Sequence, residues 1–337
     1  MARIYMVHSF TQLSPELWRT LGHRYVMVSA DDVAKKLWEA TRQLRGLEVI
    51  VDSGGYRAIS RGRLPSPEEV IRVQEVLAEE IGALPVALDH PVHRPLGASD
   101  AEFRAANRAT ARNARTWARI FGDYFIYPLH AHTLAQLREA LRIARRVAPS
   151  AEYFGLGSLA PLARYRPRRL VELVAGARML IGTRLHVFGV GNSVAALIHL
   201  LGLADSIDTS SPLMDARYGV IRDPETYSVL VVTGRKKGKR TTPREIASRC
   251  SCPVCRSNPG LLAEWGRRGV LARTLHNAYH LLEALRSPER AAQLVLRNRA
   301  LRGLLARKLE HHYESSVGLL LPNRFGEAPG IGVDVVA

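Results

Sequence analysis

The chain has 337 residues, 47% hydrophobic and 23% charged, which suffices for a large buried core and excludes a disordered or fibrous class. Lys and Arg number 48 against 31 Asp and Glu, a net charge of +17. An excess of that size calls for a polyanionic partner, nucleic acid first among them.

In chain order, short apolar runs end on polar or glycine-containing positions, and amphipathic stretches follow them. LEVIVDSGG ends at Asp52, PVALDHP at Asp89, YFIYPLHAH near His130, EYFGLGS near Gly157, RLHVFGVGN near Gly191 and ADSIDTSS at Asp208. Between them, 66–82 and 133–148 carry apolar residues at three- and four-residue steps, which predicts helices. Successive strand ends lie 17 residues (191 to 208) to 41 residues (89 to 130) apart, as βα units of a parallel sheet require. A doubly wound sheet and a (β/α)8 TIM barrel both suit the alternation. No G-x-G-x-x-G opens a helix, and polar residues close many different strands, so the barrel is expected.

The pattern breaks near 217, which divides the chain into barrel (1–216), a basic loop with a metal-binding insertion (217–285) and a C-terminal helical part (286–337). One helix is predicted from about Pro288 to Tyr313, with Leu294, Leu301, Leu305 and Leu309 as its apolar stripe beside Arg297, Arg299, Arg302, Arg307 and Lys308. The most apolar stretch, 186–204, is interrupted by His186, Asn192, His199 and glycines, so no membrane span is expected. The N-terminus lacks signal-peptide features, and the expected location is cytoplasmic.

All three cysteines fall in Cys250-x-Cys252-x2-Cys255, and His276 follows 21 residues after Cys255. Three thiolates and an imidazole suit tetrahedral Zn2+, and a closed four-ligand set is structural. His280, one turn further, is the alternative fourth ligand. The second signal is carboxylates at strand ends: Asp52, Asp89 and Asp208. Barrel geometry gathers such ends at one mouth, where partly desolvated carboxylates can serve as nucleophile, acid or base. Taken singly, each also reads as an ordinary helix cap after a strand.

In order, DSGGYR (52–57), LDHP (88–91), GLGSLAP (155–161), LHVFGVGN (185–192), ADSIDTSS (204–211), CSCPVC and LHN resemble the motifs of tRNA-guanine transglycosylases, the archaeal type most closely, over roughly residues 45 to 285. The resemblance implies a (β/α)8 barrel with a zinc-bearing insertion. The implied activity is a pentosyltransferase reaction that exchanges guanine in a polynucleotide for a free 7-deazaguanine. By position, Asp208 matches the nucleophile at C1′, Asp52 the acid/base residue and Asp89 the carboxylate on the purine edge. Gly157, Ser158 and Leu159 match the backbone facing the incoming base, and Tyr56, Arg57 and His130 fall on substrate-binding positions. The family also implies a homodimer. Contacts to flanking phosphates fall to Arg235, Lys236, Lys237, Lys239 and Arg240, and to the basic C-terminal helix.

The departures concern base and polymer. Arg57 stands where the family has Gln, and Leu129-His130-Ala131 replaces V-Q-G, so a donor–acceptor amide gives way to imidazole. The chain ends soon after the zinc helices, without the RNA-binding domains of archaeal tRNA enzymes. DNA is therefore narrowly expected over tRNA. A non-catalytic nucleic-acid-binding subunit and a barrel glycoside hydrolase are the other readings. Retention of all three Asp disfavours the first, and the cysteine cluster disfavours the second.

Overall fold

The computed structural model describes residues 2–56, 62 and 64–305. Eight strands form one parallel sheet: β1 (Arg3–Val7), β2 (Tyr25–Ser29), β3 (Glu48–Asp52), β4 (Leu84–Pro85), β5 (Tyr127–His130), β6 (Tyr153–Gly157), β7 (Arg184–Val187) and β8 (Ser206–Thr209). Their spatial order is β4-β3-β2-β1-β8-β7-β6-β5, every pairing parallel. The edge strands β4 and β5 meet through the parallel bridge Val86–Ile126. There Ala87 N–H donates to the Ile126 carbonyl (3.1 Å) and Ile126 N–H to the Pro85 carbonyl (2.8 Å). The sheet thus curls back on itself in chain order, consistent with a TIM-like barrel. RIYMV and YVMVS, the first two strands, were not among the six runs picked out by their polar ends.

Side chains alternate across each strand, so one set points inward. Tyr5, Met27, Ile50, Val86, Ile126 and Tyr153 form an apolar plug inside the sheet. Two residues further along the same faces come Ser29 (after Met27) and Asp52 (after Ile50), and four further along come His130 (after Ile126) and Gly157 (after Tyr153). The plug closes the floor of a mouth whose walls are polar.

The helices between strands begin and end where local chemistry dictates. Ser66 opens Pro67–Ile81 with a reciprocal cap from Glu69, and Gly82 closes it at φ 66°. Thr133 and Gln136 do the same for Leu134–Val147. Outside the sheet, fully buried Gln74 donates its amide to the carbonyls of Val51 (2.9 Å) and Val86 (2.8 Å), and its oxygen accepts from Trp117 Nε1–H (2.6 Å). One side chain therefore ties β3, the start of the β4–β5 seam and the helix Asp100–Phe121.

Beyond β8, the short strands β9 (Val220–Arg222) and β10 (Val229–Val231) pair antiparallel. They build a second small core of Ile221, Leu230, Val232, Ile246, Leu262 and the three cysteines. The predicted single helix from Pro288 is broken: Pro288–Leu296 ends, and helix resumes at 299. Asn298 is the cause. Its Oδ1 accepts from Ala300 N–H (3.1 Å), and its carbonyl accepts from Leu301 N–H (2.9 Å), which makes it a new N-cap. Leu294, Leu301 and Leu305 are buried as expected, while Arg307, Lys308 and Leu309 lie outside the described residues. Among the described residues no helix is long and apolar enough to cross a membrane.

Replacing Gln74 by Ala leaves a cavity and an unpaired indole N–H. We expect a loss of ~3 kcal/mol in urea unfolding, and about half that for Trp117→Phe. A loss below ~1 kcal/mol for Gln74→Ala would contradict the clamp.

Candidate functional site

Asp208, in β8, has a side chain only 7% exposed. Its Oδ1 accepts from Gly189 N–H (2.9 Å) and faces His186 Nε2 at 3.2 Å. His186 Nδ1 meets Ser206 Oγ, which also meets the Tyr153 hydroxyl. A buried chain Tyr153–Ser206–His186 thus fixes one carboxylate oxygen from inside the sheet. Among the described residues no hydrogen bond holds Oδ2. The carboxylate is oriented through one oxygen and leaves the other for chemistry.

Asp52 closes β3, and its Oδ2 accepts from Gly54 N–H (3.1 Å). Asp89, past β4, accepts from the Ser53 hydroxyl (3.1 Å). Gly55 has no room for a side chain: a Cβ there would lie 2.0 Å from Asp89 Oδ1. Burial, then the nearby negative charge of Asp52, push Asp89 up to about 7, against a smaller opposing effect of the Ser53 bond. His130 Nε2 stands 3.5 Å from Asp89 Oδ2. Burial, aided by His90, pulls His130 down to about 3, so its ring is neutral at physiological pH.

Gly157 and Ser158 follow on β6. Ser158 has φ 60°, a left-handed conformation that costs a non-glycine residue. Three contacts hold it there. Its Oγ accepts from Val92 N–H (3.2 Å) and lies 3.0 Å from His130 Nδ1, and its carbonyl is 2.8 Å from His132 Nε2. Ser158 Oγ thus bridges the Val92 backbone N–H and His130 Nδ1. The Leu159 side chain is buried, and Tyr56 is 62% exposed beside Gly55. Arg57 lies outside the described residues.

Asp89, His130 and Ser158 are thus linked by contacts, with Asp52 and Gly157 beside them, and Asp208 lies at the same end of the parallel sheet. Sequence reasoning did not single out His186, Ser206, Tyr153 or His132. The signal for one of them is period two: Ser206 precedes Asp208 by two residues and shares its inward face.

The cysteines form a separate centre. His276 Nδ1 lies 3.7, 3.4 and 3.6 Å from the sulfurs of Cys250, Cys252 and Cys255. A tetrahedron with metal–sulfur ~2.3 Å and metal–nitrogen ~2.0 Å has edges of about 3.5 Å, so the donors fit a metal of that preference. His276 Nε2–H donates to the Arg222 carbonyl (2.7 Å), which leaves Nδ1 for the metal. Cys252 N–H and Cys255 N–H donate to the sulfurs of Cys250 and Cys252 (3.5 and 3.4 Å). His280 Nε2 is also close, 3.1 Å from Cys250 Sγ. Cys250, Cys252, His276 and His280 present donor atoms all within 4.8 Å of one another, all buried. This buried cysteine–histidine cluster could bind a metal ion.

Of the five cations in the 235–240 run, Lys236 sits 5.7 Å from the Tyr218 ring and Arg240 donates to the Gly234 carbonyl (3.4 Å). The run is separate from the carboxylates in sequence and packs on the β9–β10 unit.

The raised Asp89 has a signed consequence. An unfolded carboxyl ionises near 3.8, so this group's contribution to stability is full below that pH and falls away as pH climbs toward 7. Asp89→Asn is expected to melt above wild type at pH 8 and to converge with it below pH 4. Carboxyl 13C titration should give a midpoint near 7, lowered by Asp52→Asn and raised by Ser53→Ala. An ordinary midpoint unmoved by Asp52→Asn would contradict the coupling.

No protein-family model matches the chain, and no curated protein matches it.

Proposed function

We propose that this protein is a guanine transglycosylase that exchanges a guanine in a polynucleotide for a 7-deazaguanine. The observation that carries the reading is the mouth itself. A carboxylate oriented through one oxygen, and at the same end of the sheet a coupled carboxyl pair beside a neutral imidazole, fall on the residues that the motif resemblance assigns to this chemistry.

Asp208 Oδ2 attacks C1′ as guanine departs, forming a sugar ester. A second base then displaces the carboxylate with net retention. Asp52 protonates the departing guanine and takes the proton from its replacement. Asp89 and His130 face the base edge: Asp89 accepts from ring and amino N–H groups, and His130 Nε2–H donates to a carbonyl oxygen. A target nucleotide inside a duplex or a structured loop must leave its stack to enter the mouth. The +17 charge supplies phosphate affinity. DNA is the polymer we propose, on the departures from the tRNA-enzyme pattern at Arg57 and His130, and incorporation into tRNA is the competing result of an assay.

For the cysteine cluster we propose structural Zn2+ on Cys250, Cys252, Cys255 and His276. His280, closer to Cys250 than a tetrahedral edge, acts as a hydrogen-bond donor to its sulfur. When bound, the metal ties Cys250–Cys255 to the helix Gly266–Arg286 and takes no part in base exchange.

Two measurements test this. Asp208→Asn should lower exchange by ~10³-fold or more while polynucleotide binding persists; unchanged exchange would remove the nucleophile assignment. Metal analysis should find about one Zn2+ per chain, and chelation should lower the melting temperature. Under about half an equivalent, with no change on chelation, would rule out the metal.

A further inference from the structure

Two exposed aromatic residues are brought to one turn. Tyr218 is 59% exposed and Trp265 is 69% exposed. They are 47 positions apart (218 to 265), and two glycines bring their segments together. Gly219, at φ 72°, packs so tightly that a Cβ would lie 2.2 Å from the Thr233 carbonyl oxygen. That carbonyl belongs to the chain leaving β10. Gly234, at φ 85°, follows it: a Cβ there would lie 3.3 Å from Trp265 Cη2 and 3.5 Å from the Tyr218 carbonyl oxygen. Gly234 thus lies between the Trp265 ring and the Tyr218 backbone, in a conformation that L side chains rarely adopt.

The turn carries charge of one sign. Lys236 Nζ is 5.7 Å from the Tyr218 ring, and Arg240 is anchored on the Gly234 carbonyl. Arg235, Lys237 and Lys239 complete the run, and Arg267 and Arg268 follow Trp265. Among the described residues none of the five cations in 235–240 has an acidic partner, so their charge is available to a ligand. The turn is also tied to the barrel sheet. The helix Ser211–Arg217 begins two residues past β8, and Arg217 Nε donates to Gln12 Oε1 (2.6 Å). Gln12 lies in the loop that leaves β1 at the same end of the sheet as Asp208. Tyr218 is the next residue, so the turn is tethered through Arg217 to a loop at the same end of the sheet as Asp208.

We propose that Tyr218 and Trp265 form a stacking platform for unpaired bases beside the reacting nucleotide, with Lys236, Arg235 and Arg240 on the adjoining phosphates. Every base offers a π face, so aromatic rings next to unpaired cations bind single strands without reading sequence. Such a platform holds the strand open once the target nucleotide has left its stack. This inference rests on the base-exchange reading, because that reaction is what requires an unstacked nucleotide here.

The test is fluorescence anisotropy of a fluorescein-labelled oligodeoxythymidine of about twelve nucleotides, titrated with the full chain at several salt concentrations. Tyr218→Ala and Trp265→Ala should each weaken binding about tenfold and leave the log–log salt slope unchanged. Trp265→Phe should recover most of the loss. Lys236→Ala and Arg240→Ala should weaken binding and flatten the slope by about one each. Tryptophan emission should be quenched by the oligonucleotide in a Trp38→Phe background and not after Trp265→Phe as well. Alanine variants that bind as wild type would overturn the platform, while Asp208-dependent exchange would still stand. A loss of affinity that tracks a lowered melting temperature, without rescue by Phe, would also overturn it. So would a change of oligomeric state with oligonucleotide affinity intact, which would mark the surface as a contact between copies. A wild-type chain that binds no polynucleotide at all would defeat the base-exchange reading and the platform with it.

Discussion

A parallel sheet that curls onto itself has an inside filled by side chains and two ends, and the base-exchange proposal depends on that geometry. Period-two alternation sends every second side chain inward. Apolar residues fill the middle, and the inward positions further along face one another at a single mouth. Carboxylates placed there cannot be solvated as they would be on a surface. Asp89 responds by holding its proton to about 7. Asp208 stays fixed by a backbone N–H and a histidine. The burial that stabilises the core thus also creates the chemistry at its rim.

The second unit depends on a different constraint. The helix Gly266–Arg286 carries three kinds of polar side chain inward at once. Buried Arg273 donates to the carbonyls of Ala216, Leu262 and Glu264 (2.8 Å each), so a guanidinium without a carboxylate is satisfied by backbone. Asn277 bridges Val220 and Arg222 of β9. His276 turns one nitrogen to Arg222 and the other to the cysteines. A short antiparallel pair with a small apolar core cannot order this region alone. Polar anchors, and the metal proposed for the cysteine cluster, supply what hydrophobic area does not.

Much of this was legible in the sequence where one cause dominates. Apolar steps of three and four residues placed the helices at 66–82 and 133–148 within a residue of their ends, because reciprocal caps at Ser66 and Thr133 stop them where the periodicity begins. Asp52, His130, Gly157 and Asp208 were legible as strand ends because apolar runs stop there. RIYMV and YVMVS were passed over because no conspicuous polar residue closes them. The break at Arg297–Asn298 was missed because the leucine stripe continues through it, and a side-chain cap interrupts the backbone without disturbing the apolar face. The Tyr153–Ser206–His186 chain joins three strands, so no spacing along the sequence encodes it. The pairing of Tyr218 with Trp265 is equally long-range and depends on two glycines that the sequence does not distinguish from any others.

The most direct test of the central claim is base exchange with radiolabelled guanine, offering duplex DNA and bulk tRNA in parallel at low salt. The account predicts label in DNA, lost in Asp208→Asn. Label in tRNA alone would keep the chemistry and contradict the polymer. Label in neither, from folded chain with its metal bound, would contradict the claim that this mouth is a transglycosylase site.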